Sequence, residues 1–106
     1  MGKRSEAEAY LKEVLNRDPK NPSAHYEMGE IALRSERKTQ AEDHFKKAIA
    51  AGGANFPKAH RYLGFLYRDK GLTTLSCNSF REYLKVAPKR AYDREEIARQ
   101  IAKDCR

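Results

Sequence analysis

The sequence is poor in the features that mark membrane, secreted and disulfide-rich proteins. It has no tryptophan, two cysteines and four prolines in 106 residues, and 35% of its residues are charged. No apolar run approaches the roughly 18 residues that a membrane-spanning helix needs. The first ten residues have no apolar stretch and do not form a secretion signal, and Glu6 stands where N-myristoylation requires Ser or Thr. We therefore predict a soluble cytoplasmic protein, or a soluble fragment of a longer one.

The two cysteines, Cys77 and Cys105, do not form a metal-binding pair. They are 28 residues apart, and no other Cys or His lies at ligand spacing from them. The simplest interpretation of each is a small apolar residue, buried or half-buried. A bond between them stays open at the level of the sequence, but two thiols in a helical chain without other cross-links favour a reducing compartment.

Positions along the chain recur 34 or 35 residues later. The recurring pairs are Ala7 with Ala41, Leu11 with Phe45, Val14 with Ala48, His25 with His60, Gly29 with Gly64, Phe45 with Phe80 and Ile49 with Leu84. A period of this length indicates stacked supersecondary units, because each unit alone cannot bury its apolar face. The chain is therefore predicted to be a scaffold that presents a surface.

The recurring residues form two matching strings. Ala24 begins A-H-x-x-M-G-x-x-A and Ala41 begins A-E-x-x-F-K-K-A-I. Ala59 begins A-H-x-x-L-G-x-x-Y, Ser76 begins S-C-x-x-F-R-E-Y-L, and Pro88 closes the second string. This pattern resembles the tetratricopeptide repeat over about residues 2 to 90. The resemblance implies an all-α fold, namely a right-handed superhelical array of antiparallel helix pairs that ends on a C-terminal capping helix.

The repeat register divides the chain, as one domain, into four parts. Residues 2–21 supply the second helix of an incomplete repeat, residues 22–56 and 57–90 are full repeats, and residues 91–106 form the capping helix. The predicted repeat helices cover about residues 5–17, 22–35, 39–52, 57–71 and 73–86. The glycine pair at 52 and 53 is expected to stop the third helix.

Local signals predict how these helices begin and pack. The entry signals are the capping boxes Ser5 with Glu8, Thr39 with Glu42 and Asp93 with Glu96, and the Asn21–Pro22 pair. Tyr92 is expected to pack on Ile97 as a hydrophobic staple, and Leu75 is expected to pack inward. Gly29 and Gly64 lie mid-helix, where glycine costs about 1 kcal/mol relative to alanine. We predict that paired helices approach too closely there for a side chain.

The chain offers no recognisable catalytic constellation. No Ser, His and Asp combination stands out, and no glycine-rich loop follows a predicted strand as a phosphate site requires. His25 and His60 share one repeat position and are interpreted as packing residues, while His44 occupies a surface-facing position with nothing to mark it. We predict that the protein is not an enzyme and has no metal or cofactor.

Two explanations for the amino end stay open, because the first helix of its repeat is missing from the register. In the first, the chain is the C-terminal piece of a longer array, since arrays need a polar cap at each end. In the second, a homodimer partner covers the stripe of Ala7, Leu11 and Val14. At the other end, the narrow apolar stripe of Ile97, Ile101 and Cys105 predicts a capping helix that closes the array.

The net charge of +7 is concentrated in residues 57–90, which contain eight basic and two acidic residues. In the family, the first helix of each pair lines a concave groove that holds a partner's segment. Carried over by position, the groove residues are Tyr26, Glu27, Glu30, Leu33, Lys58, Arg61, Tyr62, Phe65 and Arg68. Basic and aromatic residues alternate on the fourth helix, so the predicted ligand is an acidic protein segment with apolar anchors, bound by a scaffold or adaptor. Reversing Arg61 and Arg68 to Glu is expected to weaken binding without unfolding.

Other interpretations of the charge remain. The basic last repeat could bind RNA or single-stranded nucleic acid, although the predicted groove also holds Glu27 and Glu30. A solvated basic face without any partner is a third interpretation. Capture of a terminal carboxylate, a known use of the family, is disfavoured because Glu27 stands where that subclass has Asn.

Overall fold

The computed structural model describes residues 2–52 and 55–105. These residues form six helices and no strand, as the all-α prediction requires: α1 Gly2–Arg17, α2 Pro22–Arg34, α3 Lys38–Gly52, α4 Pro57–Asp69, α5 Thr73–Val86 and α6 Arg94–Asp104. None of the described helices is both long and apolar enough to cross a membrane. The predicted helix stop at Gly53 lies outside the described residues.

The chain divides into two compact units, Met1–Phe56 and Pro57–Arg106. The division falls where the sequence places the border between its two full repeats. The first unit holds α1, α2 and α3, and the second holds α4, α5 and α6. That the whole chain is one domain stays a prediction.

In the first unit, α2 and α3 form an antiparallel pair around Phe45. A Cβ atom added to Gly29 would lie 2.6 Å from Cε1 of the Phe45 ring, which real Cβ atoms do not approach. The predicted reason for glycine at this position is therefore confirmed. Phe45, Ala41 and Ala48 are fully buried, so the apolar stripe read from the recurrence is the core of this pair.

Helix α1 packs on α2 through the apolar stripe that the homodimer hypothesis assigns to a partner chain. Leu11 is 5% exposed and forms one cluster with Ala24, Met28 and Ile31. Ala7, Val14 and Leu15 are partly buried against the same cluster. Helix α2 of the same chain thus covers Leu11, and a homodimer through this stripe stays a prediction.

The second unit repeats this arrangement in α4 and α5. A Cβ atom on Gly64 would lie 2.8 Å from Cζ of Phe80 and closer still to two other ring atoms, so the same prediction is confirmed here. Ser76 occupies a position where the repeat has a small residue, and its hydroxyl donates a hydrogen bond of 2.8 Å to the Gly64 carbonyl. Phe80 and Tyr83 are each 1% exposed.

Helix α6 packs on this pair as the predicted cap of the second unit. Ile97 is fully buried in a cluster with Phe80, Tyr83 and Ala87, and Ile101 packs against the cluster. The start of α6 is tied to the end of α5, because Arg94 Nη1 donates to the carbonyls of Leu84 at 2.9 Å and Ala87 at 3.0 Å.

A disulfide joins Cys77 in α5 to Cys105, with their Cα atoms 5.8 Å apart. The interpretation of the two cysteines as separate apolar residues is therefore wrong. This interpretation failed because the pairing depends on how α6 packs on α5. The residues next to each cysteine in the sequence do not indicate that packing. Disulfides persist mainly in oxidising compartments, so the cysteines no longer support a cytoplasmic location, and the compartment stays a prediction.

The predicted helix entries are partly wrong. Asn21 caps α2 as expected, since its Oδ1 accepts a hydrogen bond of 2.9 Å from the Ala24 amide. Ser5 and Thr39 instead lie inside α1 and α3, because both helices begin earlier than predicted. Asp93 stands before α6 but makes no side-chain cap bond, because its carboxylate contacts other helices.

Two predicted packing residues turn outward. Tyr92 is 88% exposed and does not form the expected staple on Ile97. Leu75 is 46% exposed, so it does not pack inward as the α5 pattern suggested. Both lie in the second unit, and Tyr92 stands in the turn between α5 and α6.

Candidate partner-binding faces

The predicted groove residues of the first unit lie on α2 and form what we call the α2 face: Tyr26, Glu27, Glu30 and Leu33. Glu27 is exposed, and the other three are half-buried. The Tyr26 ring packs against Phe45 and Phe56, at centroid distances of 5.9 and 5.2 Å. Tyr26 therefore supports the unit's own packing, and Glu27 is the most accessible charge of this face.

The predicted groove residues of the second unit lie on α4 and form the α4 face: Lys58, Arg61, Tyr62, Phe65 and Arg68. Lys58 and Arg68 are exposed, and the other three are half-buried. Their spacing of three or four residues places them along one side of the helix. The guanidinium carbon of Arg61 lies 5.1 Å from the Tyr62 ring centroid, and that of Arg68 lies 4.9 Å from the Phe65 centroid. Cations thus lie over aromatic rings along this side.

Helix α6 occupies part of the α4 face. Arg61 Nε lies 3.1 Å from Asp93 Oδ2, and Arg68 Nη1 donates a hydrogen bond of 2.7 Å to Gln100 Oε1. Phe65 packs edge-on to Phe80 at 5.0 Å and joins the buried cluster. Lys58 lies at the amino end of the face, one helical turn before Arg61, and Tyr62 lies beside Arg61.

Asp93 links three helices of the second unit. The carboxylate is 7% exposed, accepts a hydrogen bond from the Tyr83 hydroxyl and forms the ion pair with Arg61. Burial, and then the bond to Asp93, raise the pKa of Tyr83 to about 12, so the hydroxyl keeps its proton and donates. A buried carboxylate with one cation and one hydroxyl donor holds α4, α5 and α6 together.

This contact overturns the expectation that Arg61 can be reversed to Glu without unfolding. A carboxylate at position 61 would lie beside the buried carboxylate of Asp93, with no cation between them. Removing one partner of a buried ion pair costs about 3–5 kcal/mol, and a like charge adds repulsion. Arg68 is different, because it is exposed and its partner Gln100 is an amide that can donate as well as accept.

A family comparison identifies the fold. A model of the tetratricopeptide repeat matches residues 1–57, which include all of the first unit. The chain belongs to the tetratricopeptide repeat family. No curated protein sequence matches it. Tetratricopeptide repeats generally mediate protein–protein interactions, and the family is one of non-catalytic scaffolds.

The second unit carries the same repeat outside the matched residues. The contact of Gly64 with Phe80 reproduces that of Gly29 with Phe45, and Ala59 is fully buried, as Ala24 nearly is. The tetratricopeptide pattern therefore continues into α4 and α5. Of the predicted groove residues, the structure brings four together on α2 and five on α4, each set within its own unit.

A histidine pair that the sequence did not reveal lies in the first unit. His25 is buried, and its Nε2 lies 2.8 Å from the Pro19 carbonyl. Because a carbonyl only accepts, His25 Nε2 carries the proton and Nδ1 offers a lone pair. That atom lies 3.0 Å from His44 Nδ1, so His44 donates to it. Burial lowers the pKa of His44.

The pair corrects the interpretation of His44 as an unmarked surface residue. The ring centroids are 5.3 Å apart while the nitrogens are 3.0 Å apart, so the two Nδ1 atoms point nearly at each other, as in a hydrogen bond. Among the described residues, no group of three or more His, Cys, Asp or Glu side chains could hold a metal ion. An open cleft of about 430 Å³ beside His25 is lined by Lys20, Lys47 and small apolar residues.

Two features could have been read from the sequence in part. His44 lies 19 residues after His25, and the repeat register places both on facing helices of one pair. The sequence predicts Asp93 to be a helix cap. Its neighbour Arg94 is a cation that could have been assigned to the last carbonyls of α5. The sequence does not indicate which residues contact Asp93, because Tyr83 and Arg61 approach it only through tertiary packing.

Proposed function

We propose that the protein is an interaction module that binds an acidic segment of a partner protein, with apolar anchors, on its α4 face. The observation that carries the proposal is the exposed guanidinium of Arg68 over the Phe65 ring, on the same side of α4 as the exposed Lys58. Such a surface attracts carboxylates and offers apolar area in the same place.

The charge of the second unit supports an acidic partner. Residues 57–106 carry 12 basic and 6 acidic side chains, whereas residues 1–56 carry 10 and 9. A positive surface speeds the encounter with acidic partners in a salt-dependent way. Lys58 is exposed at the amino end of α4. Binding of the same partner to the α2 face stays a prediction.

The test uses fluorescein-labelled peptides in which Asp or Glu alternates with Leu or Phe. The variants Lys58→Glu and Arg68→Glu change exposed cations only, and Arg61 is left intact to preserve its contact with Asp93. We expect each variant to weaken the best peptide by about 10-fold, which corresponds to about 1.4 kcal/mol, without lowering the thermal midpoint.

The matched control is Lys12→Glu, an exposed cation of the first unit with the same charge change. If Lys58→Glu and Lys12→Glu weaken the peptide equally, the effect is one of net charge and the α4 face is not the site. Failure of every acidic peptide to bind wild-type protein would also reject the proposal.

A further inference from the structure

The cations of the second unit fall into two classes. The engaged arginines are Arg61 with Asp93, Arg68 with Gln100, Arg94 with two carbonyls, and Arg99 with Glu95. A second group lies on the latter half of α5 and the turn after it, and we call it the α5 basic patch: Arg81, Lys85, Lys89 and Arg90. All four are exposed, and among the described residues none of the four makes an ion pair or side-chain hydrogen bond.

Capping of α5 does not account for the patch. Cations near a helix C-terminus stabilise it by interacting with its last carbonyls, and Lys85 lies in the last turn of α5. Those carbonyls already have a cation, because Arg94 donates to Leu84 and Ala87. The patch is therefore not required to complete the helix end.

No carboxylate of the described residues forms an ion pair with the patch, although Asp104 lines a small pocket together with Arg81. Glu82 is the only carboxylate between residues 70 and 92, and it is half-buried. Burial lowers the pKa of His60 on α4, and the charge of Glu82 opposes that shift. Glu82 is thus close to α4, and among the described residues it forms no ion pair with the four cations of its own segment.

An exposed aromatic side chain stands two residues after the patch. Tyr92 is 88% exposed in the turn that leads into α6. A ring this open offers a flat surface rather than a pocket, and an apolar peptide anchor gains most from a desolvated pocket. A nucleic acid base, in contrast, can stack on an open ring, and any of the bases can do so.

We propose that the α5 basic patch and Tyr92 bind single-stranded nucleic acid. The four cations contact backbone phosphates, and Tyr92 stacks on one base. The acidic residues Glu27 and Glu30, which argued against nucleic acid binding in the predicted groove, lie on α2. The unpaired cations lie on α5 and in the turn after it. Phosphate contacts and stacking carry no base-specific hydrogen bond, so binding should depend little on sequence.

Salt dependence tests the phosphate contacts. The probe is a fluorescein-labelled oligouridylate of about 12 nucleotides, a length within the site sizes of single-strand binders. Four phosphate contacts predict a slope of about −2.8 in a plot of log affinity against log salt, hence about 50-fold weaker binding at 200 mM than at 50 mM. Neutralising the patch should remove most of the affinity and bring the slope close to zero. The test variant combines Arg81→Gln, Lys85→Gln, Lys89→Gln and Arg90→Gln.

A control variant of equal charge change keeps the patch intact. It neutralises four exposed cations of the first unit: Lys3→Gln, Lys12→Gln, Lys20→Gln and Arg34→Gln. The slope of this control should stay near that of wild type. Tyr92→Ala should weaken binding by about 5- to 100-fold at unchanged slope, because stacking is lost while phosphate contacts remain.

Three results would overturn the proposal. The first is no measurable binding at 50 mM salt, and the second is equal loss in the patch variant and the control. The third is a Tyr92→Ala variant that binds like wild type while a polyglutamate peptide of equal charge competes fully. That outcome would assign the patch to acidic proteins instead.

Discussion

Replacing Gly64 by alanine sets two effects of opposite sign against each other. Alanine favours the interior of a helix over glycine by about 1 kcal/mol, so Gly64→Ala would stabilise α4 if nothing lay above it. The structure puts the Phe80 ring there, with its Cζ 2.8 Å from the position that a Cβ would take. The sign of the change therefore depends on whether Phe80 can move.

The surroundings of Phe80 leave little room for movement. The ring is 1% exposed, packs edge-on against Phe65 at 5.0 Å, and shares a cluster with Tyr83 and Ile97. Overpacking a filled core costs about 1–3 kcal/mol, and a buried aromatic ring should lie near the upper end. After subtracting the helical gain, we expect Gly64→Ala to lower the free energy of unfolding by about 2 kcal/mol.

Urea unfolding followed by far-ultraviolet circular dichroism measures this change, and a double-mutant cycle isolates its cause. Phe80→Leu alone should be destabilising, but it removes the overlap with the alanine side chain at position 64, so the cycle should show a coupling energy of up to about 3 kcal/mol. Gly71→Ala is the control: its φ of +76° disfavours a side chain while nothing lies within 4 Å of the added Cβ, so Phe80→Leu should not rescue it. A stabilised Gly64→Ala variant, or an additive cycle, would refute the reasoning.

Two further predictions concern the cross-link and the histidines. The loop between Cys77 and Cys105, with a sequence separation of 28, predicts that reduction lowers the free energy of unfolding by about 3–4 kcal/mol; urea curves with and without dithiothreitol measure this, and a Cys77→Ser variant should not respond to the reductant. Burial lowers the pKa values of His44 and His60 from 6.5, so the unfolded chain binds more protons, and stability should be complete above about pH 6.5 and fall below it. The slope between about pH 7 and pH 5 should flatten in a His44→Gln/His60→Gln variant, and an unchanged slope would contradict the prediction.

The repeat architecture was predictable because it depends on periodic and local features of the sequence. The spacing of Phe45 and Phe80 matches that of Gly29 and Gly64, and each ring lies on its glycine in the structure. Asn21 was also predictable, because a helix cap acts within three residues of itself. Such features need no knowledge of distant parts of the chain.

Features that depend on tertiary packing were not predictable in the same way. Asp93 satisfies the rule for a helix cap, yet Tyr83 and Arg61 occupy its carboxylate, because a buried anion gains more from a cation and a hydroxyl than from exposed amides. Cys77 and Cys105 likewise pair through the packing of α6 on α5. The free-thiol prediction and the capping box at Asp93 failed for this one reason, whereas those at Ser5 and Thr39 failed because α1 and α3 begin earlier.

Helix α6 decides which cations of the second unit remain available to a ligand. By supplying Asp93 and Gln100 it engages Arg61 and Arg68, and by supplying Arg94 it satisfies the end of α5. The basic residues of the second unit therefore fall into two groups. Those on α4 include arginines that pack against α6, and those of the α5 basic patch are unpaired. Because the disulfide anchors the far end of α6 to α5, loosening of that end after reduction should release Arg68 from Gln100 before it affects Arg61, whose partner Asp93 precedes α6. The α5 basic patch does not depend on those contacts, so peptide binding and nucleic acid binding should respond differently to the reductant.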